Sequence, residues 1–153
     1  MPGPLQICRA LPADAGVLTQ ITKASKAYWG YSKTQLELWA DELTISPAYI
    51  EEFLVFKLVS GDTVLAYISL HPGENGRFKL ENLFVLPKHI GKGFGKNLLE
   101  YAKQQCNALG AKVLWLESDP HATAFYLKQG FVVTGQRESS IPGRFLPVME
   151  LPL

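Results

Sequence analysis

The sequence predicts an α/β (α+β) domain: a mixed central sheet of about seven strands with helices on both faces. Three observations carry this. Short apolar stretches bounded by Gly, Pro and Ser alternate with stretches of helical spacing. Three β-rich segments follow one another between Phe53 and Leu86. The continuously apolar Val113 to Leu116 lies between two helical patterns, as expected for a strand buried on both faces. At 153 residues, 47% of them hydrophobic, the chain is long enough to bury a core without staples.

Leu5 to Ala10, closed by Pro12, suits an opening strand. From Ala13 the apolar residues Val17, Ile21, Ala24 and Tyr28 recur at helical spacing, with Asp14 at the positive end of the helix dipole. This first helix ends near Trp29 and Gly30. Ser32 and Gln35 form a capping box for a second helix through Leu36, Trp39 and Leu43, and Ser46-Pro47 caps a further short turn. Phe53 to Val59 and Thr63 to His71 read as a hairpin around Ser60-Gly61-Asp62. After a turn at Gly73 to Gly76, Arg77 to Leu86 is a third strand, with Phe78 and Leu80 alternating against Lys79 and Glu81. A helix follows with Phe94, Leu98, Ala102, Cys106 and Leu109 on one face and Gly110 as its left-handed cap. Asp119 as N-cap and Pro120 in the first turn open a last helix that runs to Lys128 and stops at Gly130. Phe131 to Thr134 and Phe145 to Leu151 complete the sheet. No linker or repeat interrupts this order, so 1–153 reads as a single domain.

Fifteen basic against fourteen acidic residues leave a net charge of +1, without the broad positive field of a nonspecific nucleic-acid binder. No nucleic-acid partner is expected. The opening MPGPLQICRALPADAG lacks a basic stretch followed by an apolar one, and no apolar run reaches spanning length, so the expectation is a cytoplasmic protein without membrane contact. Cys8 and Cys106 lie outside metal-ligand spacings, and no metal is expected. They could form one disulfide, but Cys106 falls on the apolar side of its helix as a small buried hydrophobe would.

The stretch HIGKGFGKNLLEYAKQQCNALG places Gly91, Gly93 and Gly95 between a strand and a helix. Such an arrangement presents unpaired backbone N–H groups at the positive end of the helix, a cradle for phosphate. Glycine keeps side chains out of the cradle and permits positive φ, while Lys92 and Lys96 add charge. Two better-known phosphate loops do not match. The dinucleotide fingerprint needs a third glycine where either register puts Lys96 or Leu98, and the triphosphate loop needs Ser or Thr after Gly-Lys, where Gly93 and Asn97 stand.

By order and context, LENLFVLPKHIGKGFGKNLLEYA resembles strand 4 and the pyrophosphate loop of the GNAT superfamily of acyl-CoA-dependent N-acetyltransferases. The family signature is Gln or Arg, two residues of any kind, Gly, one residue, then Gly or Ala. Here Ile90, Gly93 and Gly95 hold those positions, so Ile90 departs from the pattern and cannot supply the usual polar contact. A second segment, SDPHATAFYLKQGF, is similar to the family's Asn-x-x-Ala-x-x-x-Tyr-x-x-x-Gly-Phe pattern: Ala122, Tyr126, Gly130 and Phe131 match, and Asp119 stands where Asn often does. The resemblance implies a GNAT-like, mostly antiparallel sheet. It also implies direct transfer of acetyl from acetyl-CoA to an amine, without a covalent enzyme intermediate.

That chemistry requires a neutralised diphosphate, a polarised thioester carbonyl, a deprotonated amine and a stabilised thiolate. Gly91, Lys92, Gly93, Phe94, Gly95 and Lys96 are the cofactor-binding candidates for the first. The resemblance assigns the main chain of Leu83, Phe84 and Val85 to the pantetheine arm and acetyl carbonyl. It makes Tyr126 the candidate general acid, because a phenol with a pKa near 10 keeps its proton at neutral pH. Glu81, on the strand just before the acyl-binding stretch, is the candidate base, directly or through water, with His71, His89 and His121 as alternatives by pKa alone. The resemblance puts KAYWGYSKTQLELWADEL, around the first two helices, over the acceptor site; its aromatics near carboxylates suit a small cation, and Trp29 and Tyr31 are the substrate-binding candidates. Arg144 could instead recruit a substrate carboxylate. The sequence thus points to an N-acetyltransferase acting on a small primary amine, with homodimerisation left open. The rivals are a catalytically silent acyl-CoA sensor, or an acetyltransferase of a protein or aminoacyl-tRNA amine.

Overall fold

The computed structural model describes residues 4–153; Met1, Pro2 and Gly3 of the opening stretch lie outside the described residues. The strands are β1 (Leu5–Arg9), β2 (Leu54–Ser60), β3 (Thr63–His71), β4 (Arg77–Val85), β5 (Val113–Glu117), β6 (Val132–Glu138) and β7 (Phe145–Pro152). They form a seven-stranded sheet in the order β1-β2-β3-β4-β5-β7-β6. β1 with β2, β2 with β3, β5 with β7 and β6 with β7 are antiparallel, whereas β4 and β5 are parallel. The sheet is therefore mixed and mostly antiparallel, as expected. The helices are α1 (Ala15–Tyr28), α2 (Lys33–Leu38), α3 (Pro47–Glu52), α4 (Phe94–Ala108) and α5 (Thr123–Lys128). Two compact units are distinguished: Met1–Leu70 with Asn82–Ala102, and His71–Glu81 with Lys103–Leu153.

In the first unit both serines cap their helices, Ser32 with its own half of the expected capping box. Ser32 Oγ accepts from the Gln35 amide at 3.0 Å, and Ser46 Oγ accepts from the Tyr49 amide at 3.0 Å with Pro47 in the first turn. α2 stops at Leu38, short of the expected Leu43, yet Trp39 and Leu43 are both buried in the turns that follow. Of the apolar residues expected on the inner face of α1, Ile21 is buried and Val17 packs against the core, but the buried face is rotated toward Thr22 and Ser25. Leu18, Ile21, Thr22 and Ser25 are buried, while Tyr28 is 61% exposed. Hydrogen bonding explains the shift: Thr22 Oγ1 donates to the Leu18 carbonyl at 2.8 Å and pairs with the Tyr67 hydroxyl, and Ser25 Oγ donates to the Val85 carbonyl at 3.1 Å. Satisfied hydroxyls are tolerated inside, and apolar periodicity cannot see them. Leu18, Ile21, Ile50, Val55, Tyr67 and Phe84 belong to the core they enter, where each fully buried aliphatic side chain contributes about 1.5–3 kcal/mol.

The second unit buries Phe78, Leu80, Cys106, Leu114, Leu116, Tyr126, Phe131 and Met149. β5 alternates instead of being buried on both faces: Leu114 and Leu116 are buried, while Val113 and Trp115 are half-buried. Trp115 lies beneath the ammonium of Lys79, 5.1 Å from the ring centroid, which keeps that side partly polar. α4 ends as expected at Gly110, at φ +89°, where Ala111 N–H bonds the Cys106 carbonyl and Gly110 N–H bonds that of Asn107, each at 3.0 Å. This is a Schellman cap. Leu109, expected on the buried face, falls in the cap itself and is exposed. Cys8 and Cys106 are both free, and burial pushes the Cys106 thiol up to about 11.

An ion-pair chain crosses this unit's strands. Lys79 Nζ lies 3.2 Å from Glu117 and 3.0 Å from Glu81, and Glu117 also pairs with Arg137. Partial burial alone would raise the Glu117 carboxyl, but the Arg137 and Lys79 hydrogen bonds and charges outweigh it and hold the group below its ordinary 4.5. A depressed folded-state value means stabilisation that is complete above 4.5 and is lost as pH falls through the folded value. The gap in thermal midpoint between the wild type and Glu117→Gln should therefore be widest near neutrality and narrow as the buffer is acidified below 4.5. A gap independent of pH would contradict this assignment.

Candidate active site

β4 leads into the glycine stretch through a turn at Pro87–His89, and α4 begins at Phe94. Gly91 and Gly93 adopt φ +88° and +81°, left-handed values that side chains rarely accept. A Cβ placed on either would meet nothing within 4 Å, so open space lies in front of the backbone at both positions. Asn97 N–H makes the first bond of the helix, to the Gly93 carbonyl at 3.0 Å, and the amides before it lack partners one turn back. Bare left-handed loop, open space and the start of a four-turn helix together fit a diphosphate. Gly95 is different from expectation in its local role: it lies inside α4 and is not among the positive-φ residues.

Phe94 is buried, with its ring 5.9 Å from that of His89. Lys92 Nζ donates to His89 Nδ1 at 3.1 Å. Desolvation first, then the charges of Lys92 and Lys88, lower the His89 pKa from 6.5, so the ring is neutral at pH 7 and free to accept. Ile90, at the position of the family's Gln or Arg, is 47% exposed. In the same unit, Trp29, Tyr31 and Phe84 are brought together about one cation. Lys26 Nζ lies 5.0 Å from the Trp29 ring centroid, 5.6 Å from that of Tyr31, and 5.7 Å from those of Trp39 and Phe84. Sequence reasoning missed Lys26, although its spacing of three residues from Trp29 puts both on one side of α1.

Hydrogen bonding between β4 and β5 runs from Arg77↔Val113 to Lys79↔Trp115 and goes no further, although β4 continues to Val85. Glu81, two residues past Lys79, is exposed, with Lys79 Nζ at 3.0 Å and His71 Nδ1 at 4.0 Å.

Tyr126 is 6% exposed and sits edge-on to Phe125 and Phe131, at centroid distances of 5.2 and 5.4 Å. Burial first, and then the Asp119 charge, push its phenol well above the ordinary value of 10, so the hydroxyl keeps its proton. The Gly-Phe of the second motif has a local reason. Gly130 takes φ +100°, and Phe131 N–H bonds the Tyr126 carbonyl at 3.1 Å in a Schellman cap whose hydrophobic contact is the Phe131–Tyr126 ring pair. The expected helix start is corrected: α5 begins at Thr123, not Pro120. Asp119 instead closes the preceding turn, accepting from His121 N–H at 2.9 Å, with His121 Nδ1 at 2.8 Å and Arg144 Nη2 at 3.4 Å. Its short side chain bonds two residues ahead, which competes with helix capping. Arg144 is thereby tied to Asp119 and is mostly buried.

The sequence model of the acetyltransferase (GNAT) family matches residues 18–131. The chain belongs to that family of acetyltransferases. Among proteins of assigned activity it resembles peptidyl-lysine N-acetyltransferase YjaB of Salmonella typhimurium, with 36% identity over 72 residues, 47% of this chain and 48% of that one. That match spans about half the relative's length. Peptidyl-lysine N-acetyltransferase YiaC of Escherichia coli is 28% identical over 118 residues, 74% of this chain and 77% of that one. In fold it is similar to the PaiA N-acetyltransferase of Thermoplasma acidophilum solved with coenzyme A, at a TM-score of 0.81 and 21% identity, covering 98% and 99% of the two chains. Among the described residues no helix is long and apolar enough to cross a membrane, and no cluster of ligating side chains could hold a metal ion.

Proposed function

We propose that the whole chain acts as one N-acetyltransferase domain that moves acetyl from acetyl-CoA to a small primary amine. The observation that carries this is the bare left-handed loop at Gly91 and Gly93, with open space before it and the start of α4 behind it. Acetyl-CoA supplies the acetyl group as an activated thioester. The amides of Gly91 to Lys96, with Lys92 and Lys96, bind the diphosphate, and the main chain of Leu83 to Val85 orients the arm and the acetyl carbonyl. Tyr126 holds a proton on its hydroxyl, the form that protonation of a departing thiolate requires. Glu81, beside His71, takes the proton of the incoming ammonium directly or through water. Trp29 and Tyr31 line the acceptor side, and Arg144 steadies the turn that carries Asp119.

A lysine side chain of a protein is the second reading, supported by the activity named for the two bacterial relatives. A thiol-release assay with acetyl-CoA separates the readings when run against polyamines, amino acids, aminoglycosides, peptide N-termini and lysine peptides. Release with the small amines is the expected result. Release confined to lysine peptides would replace the small-amine reading with the second. Thermal stabilisation by acetyl-CoA without release for any acceptor would overturn both in favour of a silent sensor.

A further inference from the structure

Four aromatic rings from three parts of the first unit converge on one ammonium. Trp29 follows α1, Tyr31 precedes α2, Trp39 ends it, and Phe84 comes from β4. Their centroids stand 5.0, 5.6, 5.7 and 5.7 Å from Lys26 Nζ, all within the distance over which a ring face attracts a cation. The walls brace one another: Tyr31 meets Trp39 edge-on at 4.9 Å, and Trp29 lies 5.9 Å from Phe84. Trp39 and Phe84 are buried, while Trp29, Tyr31 and Lys26 are only partly so. The box is therefore anchored on one side and reachable on the other.

A lone lysine on a helix surface meets one ring by chance; four rings around the same nitrogen make a site for positive charge. The geometry points to an organic-cation site formed by Trp29, Tyr31, Trp39 and Phe84, in which Lys26 is a tethered stand-in that the acceptor's own ammonium group displaces. The ring faces favour the charged form of an amine, so the box holds a cation and does not generate a nucleophile. An amine seated there stays protonated. The ligand class is thus an alkylammonium with a second, reacting amine elsewhere in the molecule, a diamine and not a monoamine. Lys26 also sets specificity: an uncharged acceptor gains nothing by displacing it. The word acceptor rests on the acetyltransferase reading; the cation site itself does not.

The test uses binding alone. Tetramethylammonium is titrated into the full chain while tryptophan fluorescence is read, since Trp29 and Trp39 are two of the three tryptophans. Lys26→Met keeps the aliphatic stem and removes the competing charge, and it should bind the probe roughly tenfold more tightly than the wild type. Adding Trp29→Leu should remove that gain, and neopentyl alcohol, a neutral probe with a similar tetrahedral shape around carbon in place of nitrogen, should not reproduce it. Equal affinity of wild type and Lys26→Met, or equal binding of the neutral probe, would overturn the proposal. A measurement on the wild type guards against misfolded variants: the Lys26 methylene protons next to Nζ should be shifted upfield by the rings, and saturating probe should return them toward the values of free lysine. Unshifted protons would overturn it as well. Thiol release with simple amines decides the acetyltransferase reading separately, so the two can fail independently.

Discussion

Tyr126→Phe is expected to lower kcat by roughly a hundredfold while leaving the affinity for acetyl-CoA unchanged. The substitution removes one oxygen from a side chain whose ring packs edge-on against Phe125 and Phe131 and whose carbonyl accepts the Schellman bond of Phe131. Phenylalanine keeps both ring contacts and the cap, so thermal stability should change by no more than about 1 kcal/mol. What it loses is the proton that burial and the nearby Asp119 charge hold on the phenol. Steady-state thiol release under saturating acetyl-CoA measures the effect. An unchanged kcat would remove Tyr126 from the proposed chemistry and leave it as a core tyrosine.

Gly93→Val should weaken binding of coenzyme A by roughly tenfold or more. At φ +81° a β-branched residue is strained whatever the space around it, and here the space in front is the region the diphosphate would need. The variant either keeps the loop and pays the left-handed strain or relaxes the loop and disperses the amides; both weaken the anion site. Because no neighbour lies within 4 Å of the new Cβ, the core is untouched, and the unfolding midpoint should fall only by the several degrees that about 1–3 kcal/mol of left-handed strain costs. Calorimetric titration with coenzyme A tests this directly. Retained affinity would show that the loop is a tight connection and nothing more.

Much of the fold was legible because its signals are local. Ser32, Ser46 and Gly110 each act within a few residues of their own position, and the structure places all three as caps. The glycine loop was legible for the same reason: Gly91 and Gly93 declare a backbone that only glycine adopts easily. The buried face of α1 was not. Its Thr22 and Ser25 depend on partners 45 and 60 residues away, at Tyr67 and Val85, which no window of helical spacing contains. Asp119 was misread because the same carboxylate can cap a helix or close a turn, and its contact with Arg144, 25 residues on, shares it with a distant loop.

From the sequence alone came the class of the protein and the order of its elements, since periodicity, caps and two motifs at fixed spacing are properties of neighbours along the chain. The tertiary structure alone decided which charges share a site: Lys79 held between Glu81 and Glu117, and the four rings, Phe84 of β4 among them, gathered around Lys26. Those arrangements join residues far apart in sequence. Attraction between a charge and a ring or carboxylate depends on distance in space, and folding alone sets that distance.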